Sequence, residues 1–334
     1  MTLFELTRAL VDIPSVTEDE RAMAEFLEQY LAQLAAGTGG VVERIPIAQD
    51  RWNVFARWGT PNVTLSTHTD VVPPWFASSE DETRIWGRGA CDAKGIIAAM
   101  IFAAVELLRE GHRDFALLFV AGEERNSAGA YAAAECPRGS RYLINGEPTE
   151  NKLALASKGS LRYELTARGR MAHSAYPELG DSAIEKLLNA LEAIRRLPLA
   201  SDELLGPSTM NIGTIAGGRA PNVIADEARA ELLVRLVDDG AGTRAAVERA
   251  AALAGVEAKQ VLCVPAVRLA SLPGFETEVV AFTTDIPAFD GSWGKPLLIG
   301  PGSIHVAHTP GEYVAKEQLL GAVGIYKELV VRLS

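Results

Sequence analysis

Residues 62–74 read NVTLSTHTDVVPP, an alternating apolar run over Asn62–Ser66 that hands His68 and Asp70 to a loop closed by two prolines. The run predicts a short strand, and a spacing of two on extended chain turns both side chains to the same side. That suits a metal ligand and the carboxylate that orients it. It equally suits a polar strand end without a role, which describes most His-x-Asp triplets. Upstream, Thr17-Glu-Asp-Glu20 forms a capping-box pattern ahead of Ala22, Met23, Phe26, Leu27, Tyr30, Leu31 and Leu34 at helical spacing, predicting an amphipathic helix that ends at Gly37–Gly40. Val41–Ile47, Trp52–Trp58 and Phe115–Ala121 are further predicted strands, with a helix over about Lys94–Arg109. Strands alternating with helices predict an α/β fold, a mostly parallel sheet with helices on both faces. Ligands of such sheets sit beyond the carboxyl ends of strands, where His68 and the later Glu123–Glu124 pair both fall.

From about residue 159 the alternation becomes cleaner. Leu161, Tyr163 and Leu165 interleave with Arg162, Glu164 and Thr166, which predicts a sheet with one solvated face. A helix over Ser182–Leu197, a strand around Met210–Ile215, a strand presenting Ala230, Leu232, Val234 and Leu236, and a helix near Thr243–Leu253 complete a βαββα segment. The expected organisation is a first domain built from 1–158 plus 266–334, interrupted at 159–265 by a smaller α+β, ferredoxin-like domain. Beyond Val264, Thr277–Thr283 is an apolar helix candidate, Gly291–Gly302 a Gly/Pro-rich stretch and Lys316–Leu333 a final helix. No internal repeat and no low-complexity segment interrupts the pattern.

At 334 residues the chain exceeds the roughly 250–300 at which single cores stop growing, which fits two domains. Hydrophobic content of 48% and charged content of 22% argue against disorder and against a fibrous chain. A net charge of -11 leaves no electrostatic footprint for nucleic acid or anionic lipid, so a small substrate is expected. Cys91, Cys136 and Cys263 lie far apart without CxxC spacing, which suggests neither a disulfide framework nor a thiolate zinc knuckle. The N-terminus lacks a basic start followed by an apolar signal core, and no apolar run approaches the roughly 18–20 residues that span a bilayer. The expected compartment is the cytoplasm.

Four further segments carry chemistry-bearing residues. Trp86–Gly95, WGRGACDAKG, places Asp92 between glycines just before a helix, either to cap that helix or to face a ligand at its entry. Ala121–Arg125, AGEER, follows a strand with two adjacent carboxylates that need a nearby positive charge. On extended chain these would point opposite ways, one to a metal and one to water; alternatively they form a solvated acidic turn with Arg125 as partner. Asn145–Thr149, NGEPT, sets Glu147 between a strand and a proline, and Ile304–Glu312, IHVAHTPGE, supplies His305 and His308. One or two histidines and four carboxylates, nearly all at strand ends of one domain, match the inventory of a two-metal hydrolytic site, since zinc accepts both imidazole nitrogen and carboxylate oxygen.

These motifs, THTDVVPP, GRGACDAKG, AGEERNSAG, NGEPTE and AHTPGEY, with GRMAHSAYPELG in the insert, resemble in content and order those of the co-catalytic zinc aminoacylase and carboxypeptidase family, which includes acetylornithine deacetylase and succinyl-diaminopimelate desuccinylase. The resemblance spans nearly the whole chain. It implies two zinc ions per subunit, with cobalt or manganese as substitutes. It implies that Asp92 bridges both metals, that His68 and Glu147 complete one site, and that Glu124 and His308 complete the other. Asp70 is then the residue that orients His68 by accepting its second N–H, and the Asp92–Ala93 peptide is cis. Glu123 becomes the general base acting on metal-activated water. The insert becomes a lid and dimerisation domain whose His173 stabilises the oxyanion in the partner of a homodimer, while Asn222 and Arg235 contact the substrate's carbonyl and carboxylate. The activity implied is a metal-dependent amidohydrolase that removes the acyl group of an N-acyl amino acid, acetylornithine deacetylase-like. A dipeptidase or carboxypeptidase of the same family is the alternative. A catalytically silent binding protein fits less well, because every ligand and the base are present.

The chain departs from the family pattern at several points. Gly122 replaces an acidic residue before the paired glutamates, Arg125 and Asn126 replace small or apolar residues after them, and Gly311 stands where many relatives carry aspartate. His305, three residues before His308, is a second candidate for the last ligand.

Overall fold

A computed structural model describes residues 1–334. The chain divides into two compact units, the first formed by Met1–Leu155, Leu269–Glu278 and Thr284–Ser334, the second by Ala156–Arg268 and Val279–Thr283.

The first unit is built on a six-stranded sheet. Its strands are β1 (Val41–Ala48), β2 (Arg51–Trp58), β3 (Val63–His68), β4 (Phe115–Val120), β5 (Tyr142–Asn145) and β10 (Lys295–Leu298), in the order β1-β2-β4-β3-β5-β10. The four strands β4, β3, β5 and β10 run parallel, while β1 and β2 are antiparallel at one edge. Every residue of β3 and β4 is buried, as expected of parallel strands covered on both faces. One face packs against α1 (Leu3–Val11), α2 (Arg21–Thr38), α3 (Lys94–Arg109) and α7 (Lys316–Leu333) through a cluster that includes Leu6, Leu27, Ile97, Leu65, Phe119 and Tyr326. The other face is covered by α4 (Ala128–Ala134) and a turn over Ile286–Phe289, which close on Phe55, Leu118 and Trp293.

The second unit is a four-stranded antiparallel sheet of β6 (Gly159–Arg168), β7 (Thr209–Gly217), β8 (Glu227–Leu236) and β9 (Val256–Val264), with α5 (Ala183–Arg195) and α6 (Ala241–Leu253) packed on one face. Its order β7-β8-β6-β9 and its βαββαβ sequence are ferredoxin-like. Leu161, Tyr163 and Leu165 meet Ala230, Leu232 and Val234 in its core. β7 forms an open edge with most of its residues exposed.

Two local expectations are corrected. Thr17 does not cap α2: the N-cap is Glu20, which makes no capping bond, and Thr17 Oγ1 donates instead to Asp70 Oδ2 at 2.8 Å. The capping box lies at the start of α1, where Glu5 N donates to Thr2 Oγ1 at 3.3 Å and Thr2 N to Glu5 Oε2 at 2.8 Å. Thr277–Val280 is a strand rather than a helix, consistent with its β-branched Thr277, Val279 and Val280.

Candidate metal centre

The parallel strands of the first unit deliver their side chains to one edge of the sheet. His68 ends β3, Glu123 and Glu124 follow β4, Glu147 follows β5, and the loop after β10 leads to His308. Asp92 precedes α3 without capping it, because the N-cap is Ala93 and no side chain bonds the helix entry. The Asp92–Ala93 peptide is cis, as the resemblance implies, and so is Pro73–Pro74.

Asp92 is shared between two histidines. His68 Nε2 lies 2.8 Å from its Oδ1 and His308 Nε2 3.2 Å from its Oδ2, while His308 Nε2 also lies 2.9 Å from Glu124 Oε1. Ligand atoms of His68, Asp92 and Glu124 all fall within 4.8 Å of one another. Glu147 is buried, and its Oε1 has no hydrogen-bond partner. His305 is exposed and neither hydrogen-bonded nor ion-paired with this group, whereas His308 bonds both Asp92 and Glu124. His308 has a φ of 62°, a left-handed backbone that costs a non-glycine residue roughly 1–3 kcal/mol and recurs at functional sites.

The donor set fits a divalent cation. His68 Nδ1 is 2.9 Å from the backbone carbonyl of Asp70. A carbonyl only accepts, so the Nδ1 proton is fixed and the neutral ring turns a bare Nε2 lone pair on the Asp92 carboxylate. Two acceptors at that separation need a proton or a cation between them. Without a cation the protein supplies protons: His68 is pushed well above its usual range, burial opposing but the Asp70 and Asp92 carboxylates prevailing. His308 is raised to about 10 by its bonds to Asp92 and Glu124. Burial favours the neutral form of Asp92, yet His308 and His68 hold it below the ordinary carboxylate range. Glu123 and Glu147 are pushed well above theirs, by burial first and then by the crowding of neighbouring carboxylates. A dication held here would satisfy the orphaned Glu147 oxygen and offset this crowding.

Asp70 does something the sequence did not announce. Its carboxylate lies 3.6 Å from His68 Nδ1 and accepts bonds elsewhere: from Thr17 Oγ1, and from the backbone N–H groups of Gly122 (2.9 Å), Glu123 (3.1 Å) and Glu124 (3.2 Å). The paired glutamates therefore ride on a turn clamped by Asp70, not on extended chain. Gly122 enters that turn at φ 87°, where a Cβ would also lie 3.2 Å from Arg51 Nη2, so the departure from the family's acidic residue fits this backbone. Arg125 pairs with exposed Glu18 at 2.8 Å, which removes it as the partner of the acidic pair.

In the second unit, Ser174 N donates to Asn222 O at 3.0 Å, placing the His173 and Asn222 loops side by side. Ala175 N donates to His173 Nδ1 at 3.1 Å, and the ring is exposed. Arg235 on β8 donates to Thr283 Oγ1 at 3.2 Å. Sequence reasoning passed over Arg88 and Glu312, which are buried beside Asp92. They lie inside the GRGACDAKG and AHTPGEY motifs, but nothing in their spacing marks them as partners.

The sequence profile of Peptidase family M20/M25/M40 matches residues 64–332. The chain belongs to this family. It is 39% identical to a peptidase M20 domain-containing protein of Schizosaccharomyces pombe, over 98% of this chain and 84% of the relative. It is 35% identical to a probable carboxypeptidase of Aspergillus flavus, over 98% and 89%. Among solved structures, a tripeptidase of Staphylococcus aureus superposes with a TM-score of 0.83 at 21% identity, covering 99% of this chain and 98% of the other. A dinuclear metal-binding M20 peptidase of Bacillus subtilis superposes at 0.70 with 18% identity, covering 99% and 97%. This M20 protein is a metallo-hydrolase acting on amide bonds. No helix is long and apolar enough to cross a membrane.

Proposed function

We propose that this M20 protein hydrolyses the amide bond next to a free α-carboxylate in short peptides and N-acyl amino acids, using two metal ions held by His68, Asp92, Glu124, Glu147 and His308. The observation that carries the reading is the sharing of Asp92 between two histidines, one oxygen to each. His68 and Glu147 would hold one ion and His308 and Glu124 the other, with Asp92 common to both; zinc, cobalt and manganese all suit this donor set. When bound, the ions supply Lewis acidity and charge neutralisation for the attack of water on the amide carbonyl.

The remaining chemistry belongs to the chain. Glu123, on the Asp70-clamped turn, takes the proton from the attacking water and passes it to the leaving amine. Burial and neighbouring carboxylates raise its proton affinity, which suits that shuttle. His173 receives an N–H at Nδ1, so its own proton sits on Nε2 as a donor for the developing oxyanion. We place it in the partner's active site within a homodimer, with the second unit as lid and dimerisation domain. Arg235 and Asn222 hold the substrate carboxylate and carbonyl. A cytoplasmic setting fits the three free cysteines.

The carboxypeptidase reading is supported by the name of the Aspergillus relative, and the acetylornithine deacetylase-like reading by the five motifs; the machinery is common to both. A hydrolysis panel of N-acetyl, N-succinyl and N-formyl amino acids beside dipeptides and their C-terminal amides, with zinc or cobalt added, tests both. Equal turnover of acids and amides would overturn the carboxylate assignment. Sedimentation showing a fully active monomer would overturn the role of His173 in trans.

A further inference from the structure

We infer that the buried Arg88–Glu312 pair is a positioning device for the metal centre, joining the three segments that carry His68, Asp92 and His308. Glu312 is fully buried and Arg88 is 2% exposed. One carboxylate oxygen, Oε1, accepts from the backbone N–H groups of Gly89 (2.8 Å), Cys91 (3.2 Å) and Asp92 (3.2 Å). The other, Oε2, takes Arg88 Nη1 at 2.5 Å, while Arg88 Nε donates to Pro74 O at 3.2 Å. The exit of the THTDVVPP loop, the backbone of the shared aspartate and the residue four beyond His308 therefore meet on one ion pair. Strand pairing of Tyr313 with Trp86, and a bond from Gly87 N to Glu312 O at 3.1 Å, set the register of the contact.

The arrangement is more specific than burial requires. An unpaired buried carboxylate is costly, and one arginine with a single N–H would already offset much of that cost. Three N–H groups of one loop on one oxygen instead fix the backbone around Asp92, so that its two oxygens divide between His68 and His308. Asp70 holds the Glu123–Glu124 turn in the same manner. Gly89 allows this tight loop: it has φ +88°, and a Cβ there would lie 2.8 Å from Val71 Cγ1.

This inference rests on the metal-centre reading, and the test separates the two. Metal-stripped full-length wild type, Glu312→Gln, Glu312→Ala and Arg88→Met are titrated with Co2+ by calorimetry, with visible spectra of the loaded forms and thermal unfolding of the stripped ones. Wild type is expected to take two ions. Glu312→Ala is expected to lose about 10–100-fold in cobalt affinity and to show a changed spectrum, as loss of an outer-shell partner does. Glu312→Gln, which keeps an acceptor oxygen and the side-chain shape, and Arg88→Met are expected to shift the spectrum with smaller losses of affinity. Should Glu312→Ala fail to fold, these two decide. Wild-type affinity and spectrum in the folded variants, even with a lowered unfolding temperature, would reduce the pair to a structural role and overturn the inference. Fewer than two ions on wild type would fail the metal-centre reading itself and this inference with it.

Discussion

His68 donates to the backbone carbonyl of Asp70, at 2.9 Å, and not to its carboxylate, which lies 3.6 Å away. A single residue thus does two separate jobs, its main chain fixing the imidazole and its side chain fixing the turn that carries Glu123 and Glu124. Asp70→Asn preserves the first and disrupts the second, since an amide cannot accept four donors with two oxygens' worth of charge. We expect a stability loss of about 2–3 kcal/mol and a fall in turnover of at least about 100-fold. Denaturant unfolding and steady-state kinetics check this; wild-type turnover would show that the clamp is dispensable.

Glu123→Gln removes the proposed proton acceptor while keeping its shape. Turnover should drop by roughly 10²–10⁴ with metal content unchanged, because Glu123 is not among the proposed ligands. Atomic absorption on the purified variant and kcat measured in parallel report the two halves of this expectation.

Loading metal should expel protons. His68 Nδ1 is committed to a carbonyl and its Nε2 faces a carboxylate, so in the metal-free protein the ring carries both protons and must surrender one to become a ligand. Calorimetry of metal binding in buffers of different ionisation enthalpy counts the protons released. Tighter binding at higher pH is the expected direction, and no release would contradict the doubly protonated state of the metal-free ring.

Asp285 is buried with neither carboxylate oxygen partnered, and burial raises it to about 7. The unfolded chain titrates near 3.8, so between the two values the folded state holds a proton that the unfolded state has released. The contribution of this one group to stability is therefore greatest below the lower value, declines as pH rises towards about 7, and levels off above. Asp285→Asn should remove that decline and gain on wild type between pH 5 and 8, by up to about 4 kcal/mol. Urea unfolding of metal-free protein at the two pH values measures the difference, and a pH-independent gap would refute it.

Much of the fold was legible because its elements obey simple periods. The alternation in β8 and the apolar runs of β3 and β4 announce buried faces, and α3 begins and ends where its pattern does. α1 was not among the expected elements although Thr2-x-x-Glu5 and the spacing of Leu3, Leu6 and Leu10 mark it, because its 9 residues show little more than two turns of the apolar period. β9 was missed because Glu257, Lys259 and Gln260 blur its alternation on a half-exposed edge. At the site, residue types and loop positions pointed to His68, Asp92, Glu123, Glu124 and Glu147, with His305 or His308 as the second histidine, and the family motif pointed to His308. What could not be read was which backbone amides each carboxylate collects. Arg88 and Glu312 stand 224 positions apart, and only the folded chain makes them neighbours.

The left-handed backbone at His308 makes that position unusually amenable to chemical rescue. Replacing it with glycine removes the imidazole and at the same time relaxes a conformation that L residues adopt reluctantly. The scaffold would survive the loss of this proposed ligand, leaving a gap the size of the missing ring. Free imidazole diffusing into His308→Gly would then restore activity in proportion to its concentration, turning a coordination site into one that a small molecule switches on.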